Sequence, residues 1–312
     1  MPTDAARAVA GEPPVARYAL MLTAAQMIFC AQDGVVKIVA GNLGVGQYAT
    51  IRSGFVLFFI ALAALAVRAL RRPVKRTGPV VARSLFQVAS ILLYFTSITQ
   101  LPLAVAGVGF YTFPIFTTLI SAAVMRTPVS RATWAATFTG FAGAALIIGP
   151  GLAELDVLVL LPLLAATCYA VSVVITHYGC GQEDTLALVR VQNLCFLAVG
   201  LAGLGLGAAG MLPGGWSWSP VTGGTWAALA AISALNLLMA FVLLYVYQRA
   251  APPRLAPFSY TYLVFAAAMD WIVWANPPTL QTLAGGALTA LGGIMVLRAG
   301  RTPRQRFNQP LR

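Results

Sequence analysis

Charge is scarce in this chain of 312 residues: only 9% are Asp, Glu, Lys or Arg, against 59% hydrophobic. A soluble domain carries about 25% charged residues. A sizeable soluble domain is therefore excluded, and apolar runs of bilayer-spanning length recur from end to end. Acid is scarcer than base, with 8 Asp and Glu beside 20 Lys and Arg. Histidine occurs once, as His177. The cysteines, Cys30, Cys168, Cys180 and Cys195, show neither CxxC nor metal-ligand spacing, so free thiols are expected, with no metal and no other cofactor. No Walker A, HExxH or GxSxG motif occurs, so ATP does not power the chain directly and the common hydrolase signatures are missing. The run GLGAAG from Gly205 to Gly210 matches GxGxxG, but it follows a hydrophobic helix and no βαβ unit surrounds it.

What is present is a series of ten apolar stretches: 18–40, 47–67, 81–99, 103–124, 132–149, 157–177, 185–207, 225–247, 256–275 and 280–298. Pro, Gly and charge punctuate the short connections. In the longest of these, Trp216 and Trp218 suit an interfacial belt. A net charge of +12 on a soluble protein would point to nucleic acid. Here it reads as topology, with no nucleic-acid partner. Basic residues collect in the N-terminal tail, in the second, fourth and eighth connections and in the C-terminal tail. The second connection alone holds Arg68, Arg71, Arg72, Lys75, Arg76 and Arg83 by this reading. Cytoplasmic loops carry the excess of Lys and Arg, so both termini are expected to be cytoplasmic. Residues 1–17 and 299–312 read as a disordered tail and a basic tail, and the apolar segment that follows residue 17 is too long and polar for a cleaved signal peptide.

The chain also repeats itself. When it is slid along its own sequence, Cys30 meets Cys168, Gly41 meets Gly179, Arg52 meets Arg190 and Phe58 meets Phe196. Further along, Pro102 meets Pro252, Pro128 meets Pro278, Thr139 meets Thr289 and Gly143 meets Gly293. The expectation is an all-α membrane protein of ten transmembrane helices. It would form two inverted five-helix repeats, 18–149 and 157–298, around a central cavity. Five spans is an odd number, so the copies must lie upside down relative to each other, which is a common transporter design.

Polar residues inside the spans mark the candidate pathway. The first span carries Thr23, Gln26, Cys30, Asp33 and Lys37 at helical spacing, and the third carries Gln87, Ser90, Tyr94 and Ser97. A charge at the membrane centre costs roughly 2.5–3.5 kcal/mol on insertion scales, and such residues are functional candidates by default. Counting 1.5 Å per residue outward, Asp33 lies roughly 22 Å and Asp270 about 21 Å from the start of their spans. With Lys37 and Arg52 they would form a mixed-charge outer cluster whose charges balance. Arg190, the repeat partner of Arg52, would mark the inner counterpart. Tyr111, Tyr262 and Asn236 complete the expected substrate and proton pathway. Competing readings stand beside this one: a local Asp33–Lys37 ion pair, structural anchoring by Arg52 and Arg190, and interhelical packing by the polar stripes. His177 reads as an interfacial residue at a helix end.

The segments DGVVK with GVGQYATIR, YFTSITQLPLAVAGVGFYTFPIFTTLI, RTPVSRATWAATFTGFAGAALI and ANPPTLQTLAGGALTALGGIMVL resemble the EamA-type members of the drug/metabolite transporter superfamily. The likeness covers residues 18–298. It implies that spans one to four and six to nine surround a cavity while spans five and ten lie outside it. It also implies secondary active transport of a small organic metabolite by alternating access, with an amino acid or similar solute exported and protons as the coupling ion to test. The alternative is uptake of a vitamin or nucleoside-like cofactor. An integral-membrane enzyme or a sensor fits less well. The expected partners are a small-molecule substrate, protons and the lipid bilayer, with the chain a monomer or homodimer. Its composition, rich in Ala, Gly and Arg, points to a bacterial inner membrane.

Overall fold

The computed structural model describes residues 15–39, 43–66, 73–100, 103–123, 129–148, 158, 160–212, 216–275 and 277–299. Residues 1–14 and 300–312, expected as tails, lie outside the described residues, as do the side chains of Lys37 and Asp270. All regular structure among the described residues is helical. The helices are α1 (Val15–Val39), α2 (Val45–Ala66), α3 (Thr77–Gln100), α4 (Leu103–Phe110), α5 (Phe113–Ala123), α6 (Arg131–Ile148), α7 (Leu160–Cys180), α8 (Thr185–Ala208), α9 (Gly223–Arg249), α10 (Pro252–Leu255), α11 (Thr261–Trp274) and α12 (Leu280–Ala299). A 3₁₀ turn, Ala256–Tyr260, joins α10 to α11. Among the described residues, 5 helices are long and apolar enough to cross a membrane by length and composition: Val45–Leu65, Leu160–Cys180, Thr185–Ala208, Gly223–Arg249 and Leu280–Arg298.

Polarity is distributed as lipid demands. Leu20, Phe58, Leu62, Leu65, Ile272 and Leu280 face outward, while Gln26, Gln32, Gln47, Ser53, Arg83 and Asn193 are buried. With no water to hydrate a backbone in hydrocarbon, helices satisfy their own amides and polar side chains turn inward. Many hydroxyls are likewise satisfied within their own helix. Thr118 donates to the Pro114 carbonyl at 2.8 Å, Thr137 to that of Thr133 at 2.9 Å and Ser233 to that of Leu229 at 2.6 Å.

Two of the ten apolar stretches are broken rather than continuous. The fourth turns at Tyr111–Thr112, and Pro114 stands in the first turn of α5, where its missing N–H costs nothing. The ninth stretch begins as a 3₁₀ turn, and just before it Pro252 and Pro253 open the short α10.

Helix partners repeat in the two halves. α6 packs on α12 and α2 packs on α8; α3 packs on α7 as α9 packs on α1; α5 packs on α7 as α11 packs on α1. The α6–α12 seam is made of glycine. A side chain at Gly143 would strike Gly285 and Thr289, and one at Gly292 would strike Ala136 and Gly140. These contacts run in opposite senses along the two helices, so the pair is antiparallel. The α2–α8 pair is antiparallel too, with Gly46 and Thr50 of α2 against Gly200 and Leu204 of α8. Small residues admit this close approach.

The connections sort to two ends of the bundle. At one end, Glu183 accepts the backbone N–H groups of Lys75 at 2.9 Å and Arg76 at 2.8 Å. There too Gln248 Nε2 donates to the carbonyls of Cys180 at 2.7 Å and Glu183 at 2.9 Å, and Thr185 donates to Gln248 Oε1 at 2.6 Å. His177 Nδ1 lies 2.9 Å from the Tyr247 carbonyl, as suits an interfacial helix end. At the other end of α8, Gln47 Nε2 donates to the Ser219 carbonyl at 2.7 Å and Gln47 Oε1 accepts the Ser219 N–H at 3.0 Å. Trp216 there lies against Gly46, Gly203 and Gly207. It caps the α2–α8 seam, while Trp218 is exposed.

Candidate functional site

A cavity of about 100 Å³ lies between helices of both halves. Its walls include Phe29 of α1, Arg52 of α2, Arg83 and Gln87 of α3, Tyr169, Ser172 and Thr176 of α7, Gln192 of α8, and Asn236 and Tyr247 of α9. A second, much smaller space of about 20 Å³ lies nearer the Trp216 end, lined by Tyr48, Phe196 and Trp216 among others. Arg52 lines both. Its guanidinium stacks over the rings of Phe196 at 5.0 Å and Tyr48 at 5.7 Å, and its Nε has no hydrogen-bond partner.

Beside Arg52 the α1 acid is held from the second half. Tyr262 of α11 donates its hydroxyl to Asp33 Oδ2 at 2.7 Å. The Tyr262 ring stacks on Tyr111 at 5.7 Å and lies 5.2 Å from Phe29. Tyr94 reaches the same group through Phe110, ring to ring at 4.7 Å. Four residues expected in the pathway, Asp33, Tyr94, Tyr111 and Tyr262, are therefore gathered around one aromatic cluster. Asn236 faces the cavity and donates to Gln32 Oε1 at 3.2 Å. Gln26 is buried on α1 and Gln87 lines the cavity. Lys37 and Asp270 are placed on α1 and α11, but their side chains lie outside the described residues, so of the four residues expected in a mixed-charge cluster only Asp33 and Arg52 have described side chains. Arg190 is half-buried on α8 and is not part of either cavity wall.

The residue that sequence reading misplaced is Arg83. Counted there with the loop cations, it is instead inside α3, 2% exposed, with its side chain in the cavity wall. Its Nη2 donates to Gln192 Oε1 at 2.9 Å and to Ser172 Oγ at 3.4 Å, and Ser172 in turn donates to Gln87 Oε1 at 3.3 Å. Nε and Nη1 have no partner. The signal was available: Arg83 continues the stripe Gln87, Ser90, Tyr94, Ser97 one turn back, at the same helical spacing. Gln32 and Gln192 were missed as well, because each lies one position off an apolar-looking face. Ser90 shows the opposite error. Its hydroxyl is used to tie α3 to the Ala165 carbonyl of α7 at 2.8 Å, which is packing rather than cavity lining.

Known proteins share both the sequence pattern and this architecture. The EamA-like transporter family matches residues 17–149 and again 157–298. A riboflavin transporter of Brucella anthropi is 29% identical over 234 residues, 74% of this chain and 79% of that protein. The pseudopaline exporter CntI of Pseudomonas aeruginosa is 25% identical over 286 residues, 89% of this chain and 95% of its own. A solved structure 19% identical in sequence superposes with a TM-score of 0.74, covering 92% of this chain and 99% of that one, and so shares the fold. The doubled family match spans most of the chain, and it is a multi-pass membrane protein belonging to the EamA-like transporter family, within the drug/metabolite transporter superfamily its sequence resembles.

Proposed function

We propose that this protein is a secondary active transporter that moves a small organic metabolite by alternating access, exporting an amino acid or similar solute. One observation carries the reading. A cavity with polar walls is drawn from both halves and lies between two hydrogen-bonded contacts of the halves, Glu183 with Lys75 and Arg76 at one end and Gln47–Ser219 with Trp216 at the other. Repeats 18–149 and 157–298 would form the two moving parts. The exchange of helix partners between halves and the antiparallel α2–α8 and α6–α12 pairs are what an inverted repeat of ten spans requires. In this reading Gln26, Asp33, Lys37, Arg52, Gln87, Tyr94, Tyr111, Arg190, Asn236, Tyr262 and Asp270 line or support the pathway. Asp33, held by Tyr262 and facing Arg52, is the group we assign to proton coupling. The Glu183 end, where the basic connections gather, would face the cytoplasm of a bacterial inner membrane, and both termini with it.

Uptake of a vitamin or nucleoside-like cofactor is the second reading, favoured by the riboflavin transporter among the relatives and by the aromatic group Phe29, Tyr111 and Tyr262. Proteoliposomes separate the two. Purified protein loaded with candidate solutes on one side, with and without a pH gradient, should show net flux whose direction distinguishes export from uptake. Absence of flux for every solute that stabilises the protein would contradict transport.

A further inference from the structure

We infer that Arg83 is the anchor for a carboxylate on the transported solute, so that the cargo carries a carboxylate held against α3 and α8. This rests on the transport reading for the word cargo; the binding site stands on its own geometry. Arg83 is 2% exposed, and among the described residues its hydrogen-bond partners are neutral, the Gln192 carbonyl oxygen and the Ser172 hydroxyl. Removing a guanidinium from water costs several kcal/mol unless an opposite charge and full hydrogen bonding repay it. Here no carboxylate among the described residues does so, and Nε and Nη1 stand unpartnered in the wall of a cavity. The charge on the wall is uneven. Arg52, further along, has Asp33 close by, whereas Arg83 has no acid among its described partners. One uncompensated positive charge matches one carboxylate. Ser172 and Gln192 occupy Nη2, and Gln87 holds Ser172 in place, so an incoming carboxylate oxygen would take a single charge-assisted hydrogen bond from Nε or Nη1. The Tyr169 ring in the same wall suits an aromatic or apolar body behind that carboxylate.

The test uses full-length protein in detergent and simple probes: benzoate, its neutral counterpart benzamide, and phenyl phosphate. Thermal unfolding is followed as each is titrated. Benzoate is expected to raise the melting temperature in a saturable way and benzamide at equal concentration is not. Phenyl phosphate is expected to act more weakly than benzoate. Arg83→Gln should weaken benzoate about ten- to a hundredfold, the range of a lost charge-assisted hydrogen bond, and Arg83→Lys should recover part of it. Equal stabilisation by benzoate and benzamide on the unmodified protein overturns the anchor, whether or not the variants fold. Stronger binding of phenyl phosphate than benzoate overturns the carboxylate assignment. Benzoate binding that survives Arg83→Gln unchanged places the site elsewhere and also overturns it. The transport reading fails separately: Arg83-dependent benzoate binding without flux of any solute would remove the transporter and leave the site.

Discussion

Tyr262 donates to Asp33 at 2.7 Å, joining residues 229 positions apart and holding α11 against α1. The bond links the two halves at a carboxyl group one helical turn from Phe29, which lines the cavity together with Arg52. If Asp33 carries the coupled proton, Asp33→Asn keeps an acceptor for Tyr262 but cannot titrate. Its flux should fall about tenfold or more when driven by a pH gradient and should no longer respond to the gradient. Tyr262→Phe removes the donor and leaves the carboxyl group. Its flux should fall while the response to the gradient remains. Proteoliposome uptake with an imposed pH step measures both, and a normal gradient response in Asp33→Asn would remove Asp33 from coupling.

Cys180 offers a native reporter for the end of the bundle closed by Glu183 and Gln248. It is a free thiol with no exposed surface, and its carbonyl accepts from Gln248 at 2.7 Å. Glu183→Ala removes the acceptor for the Lys75 and Arg76 amides. That should weaken the closed end by about 2 kcal/mol, roughly thirtyfold in the open fraction. With Cys30, Cys168 and Cys195 replaced by serine, maleimide labelling of Cys180 should rise accordingly. Unchanged labelling would mean that this network does not hold the end shut.

The glycine seam predicts a sharp contrast between positions of one residue type. Gly143→Leu would drive a side chain into the backbone of α12 at Gly285 and Thr289 and should prevent recovery of folded, monodisperse protein. At Gly54 an added methyl group would meet nothing within 4 Å, so the position should accept alanine and gain stability by up to about 1 kcal/mol. Size-exclusion profiles and thermal unfolding of the two variants check this.

How much was legible beforehand follows from depth and period. Helix positions were legible because an apolar run of bilayer length has few other uses, and α1 to α3 fall within a few residues of the expected spans. Pro114 marks a kink in the fourth span from sequence alone, and the chain breaks just before it at Tyr111–Thr112; the turn at Ala256–Tyr260 was not placed, because hydropathy is continuous across it and only Pro257 hints at a turn. In the site, Asp33 and Asn236 could be found from charge and polarity alone. The pairing of Asp33 with Tyr262 could not, since it depends on how α11 is rotated against α1. Arg83 was lost to a boundary. It stands six residues after Thr77, where a rule that counts basic residues near span ends assigns it to a loop; the polar stripe it continues points inward, and the packing of α3 against α7 and α8 shows it inside.

The central claim is that the cavity between the halves opens alternately at two ends. Cysteine pairs placed at Gln47 and Ser219 across one end, or at Lys75 and Glu183 across the other, test it when bridged by a short reducible cross-linker in a cysteine-free background. Flux in proteoliposomes should stop when either end is bridged and return on reduction. Undiminished flux with both ends bridged would contradict alternating access through this cavity.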